Sequence, residues 1–153
     1  MGKRFTALTV TAATALLLTV GAAPAHAAGY GYDGTNPTTA AGGYCVNGSY
    51  AIASYPITNY SGGATVGTLE VRYSPACGTN WVRINNTLSG YEAVKHITRT
   101  ASPYFHEEER DWATGWSYSM QVYAPGSTCV IVEGYLVNSS GWPTAASGVH
   151  ELC

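Results

Sequence analysis

Beyond residue 49 the chain runs in short stretches where β-branched and aromatic residues alternate with polar ones. Gly, Pro, Asn or Ser interrupts every stretch. Alternation with a period of two marks strands that bury one face. It predicts strands at Tyr50–Tyr55, Thr65–Ser74, Asn80–Asn85, Tyr91–Arg99, Ser117–Tyr123 and Thr128–Val137. Short strands separated by turn signals imply an all-β domain, a small antiparallel β-sandwich or barrel. The one segment with helical spacing is Pro103–Trp112, in a long connection between strands.

The stretch VRYSPACGTNWVRINN, Val71 to Asn86, reads as a hairpin. A turn centred on Ala76–Thr79 sets Arg72 opposite Arg83 and Val71 opposite Ile84. One face then carries Leu69, Val71, Tyr73, Val82 and Ile84, a core stripe. The other carries Glu70, Arg72, Ser74, Trp81, Arg83 and Asn85. Opposed arginines repel, but Trp81 offers a ring for a guanidinium to lie over and Glu70 a countercharge. The ladder is first a brace on the outer face of a sheet. Tryptophan and arginine also recur at binding hot spots, which makes Arg72, Trp81 and Arg83 a candidate docking patch. A second hairpin, SYSMQVYAPGSTCVIVEGYLV, turns at Ala124–Ser127, where Pro-Gly suits a type II turn. It aligns Val122 with Val130 and Met120 with Val132.

The N-terminus has the layout of a secretory signal. Lys3 and Arg4 precede an apolar run from Ala12 to Val20, and Ala25-His26-Ala27 is an A-x-A cleavage site. The apolar run is too short to span a bilayer. The expected organisation is a signal peptide at residues 1–27, a flexible Gly/Tyr-rich arm at 28–43 and a disulfide-braced β domain at 44–153. Cleavage after residue 27 leaves 153 − 27 = 126 residues, enough for one modest core. Losing Lys3 and Arg4 from 7 basic residues leaves 5 against 9 acidic ones, a net charge of 5 − 9 = −4. Such a chain suits neither nucleic acid nor anionic membranes, and no membrane insertion is expected.

All four cysteines, Cys45, Cys77, Cys129 and Cys153, follow the signal. An even count in an exported chain argues for two disulfides. Their spacing contains no zinc-type pair. Three pairings are open, and Cys45–Cys77 with Cys129–Cys153 is favoured because each closes a shorter loop.

Candidate chemistry is sparse. There is no nucleophile elbow, zinc-protease motif, P-loop or dinucleotide fingerprint. His96, His106 and His150 fall in no metal-ligand spacing, and His96 beside Lys95 reads as a surface or packing residue. The segment FHEEERDWATGW (Phe105–Trp116), which overlaps the acidic stretch Pro103–Asp111, can hold a cation or a basic partner, although a short charge run is more commonly just solvated. No nucleophile, base and orienting group can be named together, so no catalytic residue, metal or cofactor is assigned. Twelve tyrosines and four tryptophans exceed what one modest core needs. Tyrosine and tryptophan beside Gly and Ser suit sugar stacking or protein recognition.

The motifs YDGTNP (Tyr32–Pro37), the following Cys45, LEVRYSPACGTNWVRI (Leu69–Ile84) and SYSMQVYAPGSTC resemble the YjfA-like family of small exported bacterial domains of unassigned function. The resemblance covers most of the chain after the signal. It implies a Cys45–Cys77 bond and no established active site. The acidic Pro103–Asp111 insertion and the Cys153 end depart from the shortest members. In size and layout the chain is also similar to the small adaptor subunit of secreted umbrella-shaped toxin particles, which joins a lectin subunit to the toxin stalk. An extended arm can add a strand to another protein or fill its cleft, through a few anchors.

The expectation is a secreted, extracellular, non-catalytic interaction module that binds another secreted protein. Its partner-binding residues would be Tyr30, Tyr32, Asp33 and Pro37 in the arm, with Arg72, Trp81 and Arg83 on the hairpin. Rival readings are a carbohydrate or cell-wall glycan binder, a small enzyme inhibitor and a hydrolase.

Overall fold

The core stripe read from the first hairpin is the centre of the molecule. In a computed structural model that describes residues 29–153, Leu69, Val71, Val82 and Ile84 are completely buried. The expected signal segment lies outside the described residues. Nine antiparallel strands follow in chain order. They are β1 (Tyr50–Asn59), β2 (Thr65–Ser74), β3 (Thr79–Asn86), β4 (Glu92–Arg99), β5 (Phe105–Asp111), β6 (Gly115–Tyr118), β7 (Val122–Tyr123), β8 (Val130–Val137) and β9 (Pro143–Leu152). They form one sheet in the order β5-β4-β8-β9-β1-β2-β3-β6, with β7 also on β3. The sheet curls into a nearly closed barrel around Ile57, Leu69, Val71, Val82, Ile84, Ile97, Val132 and Leu136. Gly134 lets opposite walls meet, since a Cβ there would lie 2.9 Å from Ile84 Cδ1 and 3.0 Å from Leu69 Cδ1. Among the described residues no helix is long and apolar enough to cross a membrane.

Several sequence expectations need correcting. The first hairpin pairs Ser74 with Thr79, so Arg72 faces Trp81 and Glu70 faces Arg83. The turn sits one residue earlier than expected because Gly78 takes the left-handed φ of 65° and donates its N–H to Ser74 O. An even shift keeps both faces but removes the opposed arginines. The second hairpin is not a hairpin. A turn does form there, but one residue later than expected, closed by the Thr128 N–H on Pro125 O, and β7 pairs with β3 while β8 lies between β4 and β9.

The expected helix at 103–112 is strand β5, paired with β4 along its whole length. Its outward face is His106, Glu108 and Arg110, while Phe105, Glu107, Glu109 and Asp111 are half-buried. Charge stands where a core-facing strand usually has aliphatic residues, so alternation was invisible. Strand β9 was missed because its small residues and Gly148 mimic a loop.

The ends of the sheet, β5 and β6, share no backbone ladder. Side chains of β4 close the seam instead. Lys95 is fully buried and its Nζ donates to Asp111 on β5, to Ser117 Oγ on β6 at 3.0 Å and to Ala93 O at 3.3 Å. Arg99 is equally enclosed. Its Nη1 donates to both oxygens of Asp33 at 2.9 Å and to Tyr123 O on β7 at 2.7 Å, and its Nε donates to Pro103 O.

Residues 29–49 do not stand free as an arm. They pass over the turn end of the β2–β3 hairpin in a series of turns, beginning with a single 3-10 turn at Tyr30–Tyr32. Tyr32, the Cys45–Cys77 disulfide and Trp81 make a second small core. Gln121 donates to Thr35 Oγ1 and Gly42 O, both at 2.9 Å, and Thr35 bridges to the Gln121 backbone. Both disulfides form in the favoured pairing.

The Cys45–Cys77 bond closes the chain that links the N-terminal segment to the hairpin. A Cys45→Ser/Cys77→Ser variant is expected to lose about 3–4 kcal/mol in denaturant unfolding. Trp81, the one tryptophan in the small core, should become accessible to quencher before the barrel unfolds. A parent-like midpoint and a shielded Trp81 would show that the segment does not rest on this bond.

Candidate binding cleft

The barrel wall has a second discontinuity, and nothing spans this one with charge. Strands β1 and β9 pair only through Thr58–Ala146 and Asn59–Ala145. The cause lies in β9. Between Ala146 and Val149 it has one residue more than the β8 segment between Tyr135 and Glu133, so it bulges at Ser147-Gly148. Gly148 has φ 81°, the left-handed conformation that such a bulge favours. The β8 N–H displaced by the bulge, at Gly134, donates to Ser147 Oγ at 3.0 Å. Beyond the bulge β9 follows β8 and leaves β1, so each strand keeps one unpaired edge.

The Tyr55 and His150 rings close the floor between the parted strands, stacked 3.5 Å apart and almost parallel. Near the other end of the opening lies a cavity of 290 Å³. Tyr50, Ile52, Tyr73, Val130, Leu152 and Cys153 are among its walls. Ile52 is the extra residue of a bulge in β1 against β2, which turns it outward at 41% exposure. Tyr50, 51% exposed, meets Tyr73 edge to face at 6.0 Å. The lining offers phenols and aliphatic carbon beside unpaired backbone donors and acceptors. That combination suits an extended peptide, which needs backbone partners on one side and shallow pockets for alternate side chains.

The residues expected to bind a partner all have contacts within the fold. Tyr32 and Pro37 are buried. Asp33 is held by Arg99 and accepts the Tyr123 N–H at 2.6 Å. Tyr30 is half-exposed, with Arg99 over its ring at 4.7 Å and Tyr123 at its edge. Trp81 is buried under the N-terminal segment, which a sheet-only reading of the hairpin could not foresee.

Arg72 donates to Ser49 O at 2.8 Å and to Glu70 Oε1 at 3.1 Å. Arg83 also donates to Glu70 Oε1, at 2.8 Å, and stacks at 4.0 Å on Trp116 of β6 rather than on Trp81. The cleft residues Tyr50, Ile52, Tyr73 and Leu152 were not singled out. Their signal is Ser147-Gly148 inside a strand, legible only once β9 is recognised.

A nearly closed, two-disulfide antiparallel barrel with an ordered N-terminal segment and a parted wall defines the class of domain. The chain belongs to the family described as a protein of unknown function (DUF2690), whose model matches residues 30–141. No curated protein and no solved structure matches it.

The Glu70 bridge gives a pH-dependent signature. Burial alone would raise its carboxyl, but the hydrogen bonds and charges of Arg83 and Arg72 outweigh burial and hold it below the ordinary value. A folded value below the unfolded one means that the stabilisation is complete above the unfolded value and fades as pH falls through the folded one. Glu70→Gln is expected to lower stability by about 1 kcal/mol at pH 7, with the deficit closing below about pH 4. Thermal melts across pH 3–8 check this. A deficit unchanged at the acid end would contradict it.

Proposed function

We propose that the protein is an exported, non-catalytic interaction subunit that takes an extended segment of another secreted protein into the cleft between β1 and β9. The observation that carries this reading is the pair of unpaired strand edges flanking a tyrosine- and aliphatic-lined cavity. An incoming strand there gains backbone hydrogen bonds on a preformed, rigid site, so little ordering cost falls on this protein. The two disulfides fit an oxidising compartment, and the signal-like N-terminus supports export. Similarity in layout to the adaptor of umbrella-shaped toxin particles favours an assembly role, as part of an extracellular complex. The N-terminal segment, bonded into the seam, contributes to such docking as a support for the barrel rather than as a free arm.

The test is a pull-down from the culture medium of producing cells with the disulfide-intact protein, its Tyr50→Ala and Ile52→Asp variants alongside. The expected result is a stoichiometric exported partner whose affinity falls at least about tenfold in Ile52→Asp, with unchanged melting. The β1 amides between Ala51 and Ile57 that point away from β2 should gain hydrogen-exchange protection in the complex. A partner bound equally by both variants would place docking elsewhere. Adsorption to cell-wall polysaccharide without a protein partner would favour the glycan reading.

A further inference from the structure

Strands β4 and β5 bring together three groups that lie ten or more residues apart or in an unremarkable charge run. His96 stands opposite Glu108, and His106 stands opposite Thr98, one diagonal away on the same outer face. One donor atom from each of His96, His106 and Glu108 lies within 4.8 Å of the other two. His96 Nε2 is already 3.3 Å from Glu108 Oε2, and the two imidazole centres are 5.3 Å apart. Donors bound tetrahedrally at about 2.0–2.2 Å stand roughly 3.3–3.6 Å from one another. Small rotations of His106 and Glu108, both exposed, would therefore complete the closure.

We propose that His96, His106 and Glu108 form a binding site for a zinc-type divalent ion on the outer face of the barrel. Two imidazoles and a carboxylate are a borderline donor set that suits zinc and discriminates against calcium and magnesium, which take oxygen ligands. The surroundings orient the donors. Thr98 Oγ1 is 2.7 Å from His106 Nδ1, a contact that, kept through a small rotation, leaves Nε2 as the metal donor. The Tyr135 hydroxyl lies 3.3 Å from His96 Nε2, the nitrogen that faces Glu108, and gives that lone pair up when a metal binds. Glu133, paired with His96 on β8, adds a carboxylate on the neighbouring strand. With three protein donors the fourth position faces solvent, open to water or to a donor from a bound partner. The site was illegible in the sequence because its spacing runs across strands.

The test is calorimetric titration of tag-free, disulfide-intact, chelator-treated protein with zinc chloride, and separately with calcium chloride. One saturable zinc site per chain and no calcium binding are expected. His106→Ala and Glu108→Gln should each weaken zinc binding by about tenfold or more. Both replaced side chains are exposed, and a parent-like melting curve without metal certifies the fold. Zinc should raise the melting temperature of the parent more than that of His106→Ala. Absence of saturable one-to-one binding, or a parent-like isotherm in both variants, would overturn the proposal.

Discussion

Two cations on one strand hold this barrel shut. A sheet whose end strands share no ladder has to close by other means, and Lys95 and Arg99 of β4 reach across the seam to β6 and β7. Burying them would be costly without partners. Asp111 and Ser117 serve Lys95, while Asp33, Tyr123 O and Pro103 O serve Arg99. Asp33 belongs to the N-terminal segment, so the position of that segment is fixed by the same charge that closes the wall. Asp111, on the half-buried acidic face of β5, belongs to this arrangement. Glu107, held above its ordinary value first by burial and then by Glu109, marks how crowded with carboxylates that face is.

The wall therefore has two discontinuities of opposite character. One is sealed by hydrogen-bonded charge and capped by the N-terminal segment. The other, between β1 and β9, is left open by a glycine bulge and lined with tyrosine and aliphatic side chains. The binding function we propose is assigned to the open one. Rigidity at the sealed seam serves it, because an incoming strand gains most from edges that do not have to be ordered first.

Much of the framework could be read along the chain. The stripe of Leu69, Val71, Val82 and Ile84 identified the core, and the favoured disulfide pairing formed. Strand β5 escaped because its inward positions carry Phe105, Glu107, Glu109 and Asp111, only one of them apolar, so alternation of hydrophobicity does not see them. Strand β9 escaped because Ala, Ser and Gly carry no apolar period. Two of the docking residues expected from the arm and the hairpin face, Tyr32 and Trp81, lie buried for a comparable reason. Tyr32 and Trp81 are aromatic beside glycine and cysteine, which fits a recognition surface and a disulfide-centred small core equally well, and only the path of the chain distinguishes them. Cleft and outer-face cluster both depend on cross-strand register, which one-dimensional spacing does not contain.

Closure by side chains rather than by a ladder is the claim on which this picture stands. Residue-resolved native-state hydrogen exchange on Lys95→Met tests it most directly. The account predicts that the amides of β5 and β6 open at far lower denaturant than in the parent, while those between β1 and β2 and between β8 and β9 keep exchanging only on global unfolding. Uniform loss of protection across all strands, or none at the seam, would show that Lys95 does not hold the barrel closed.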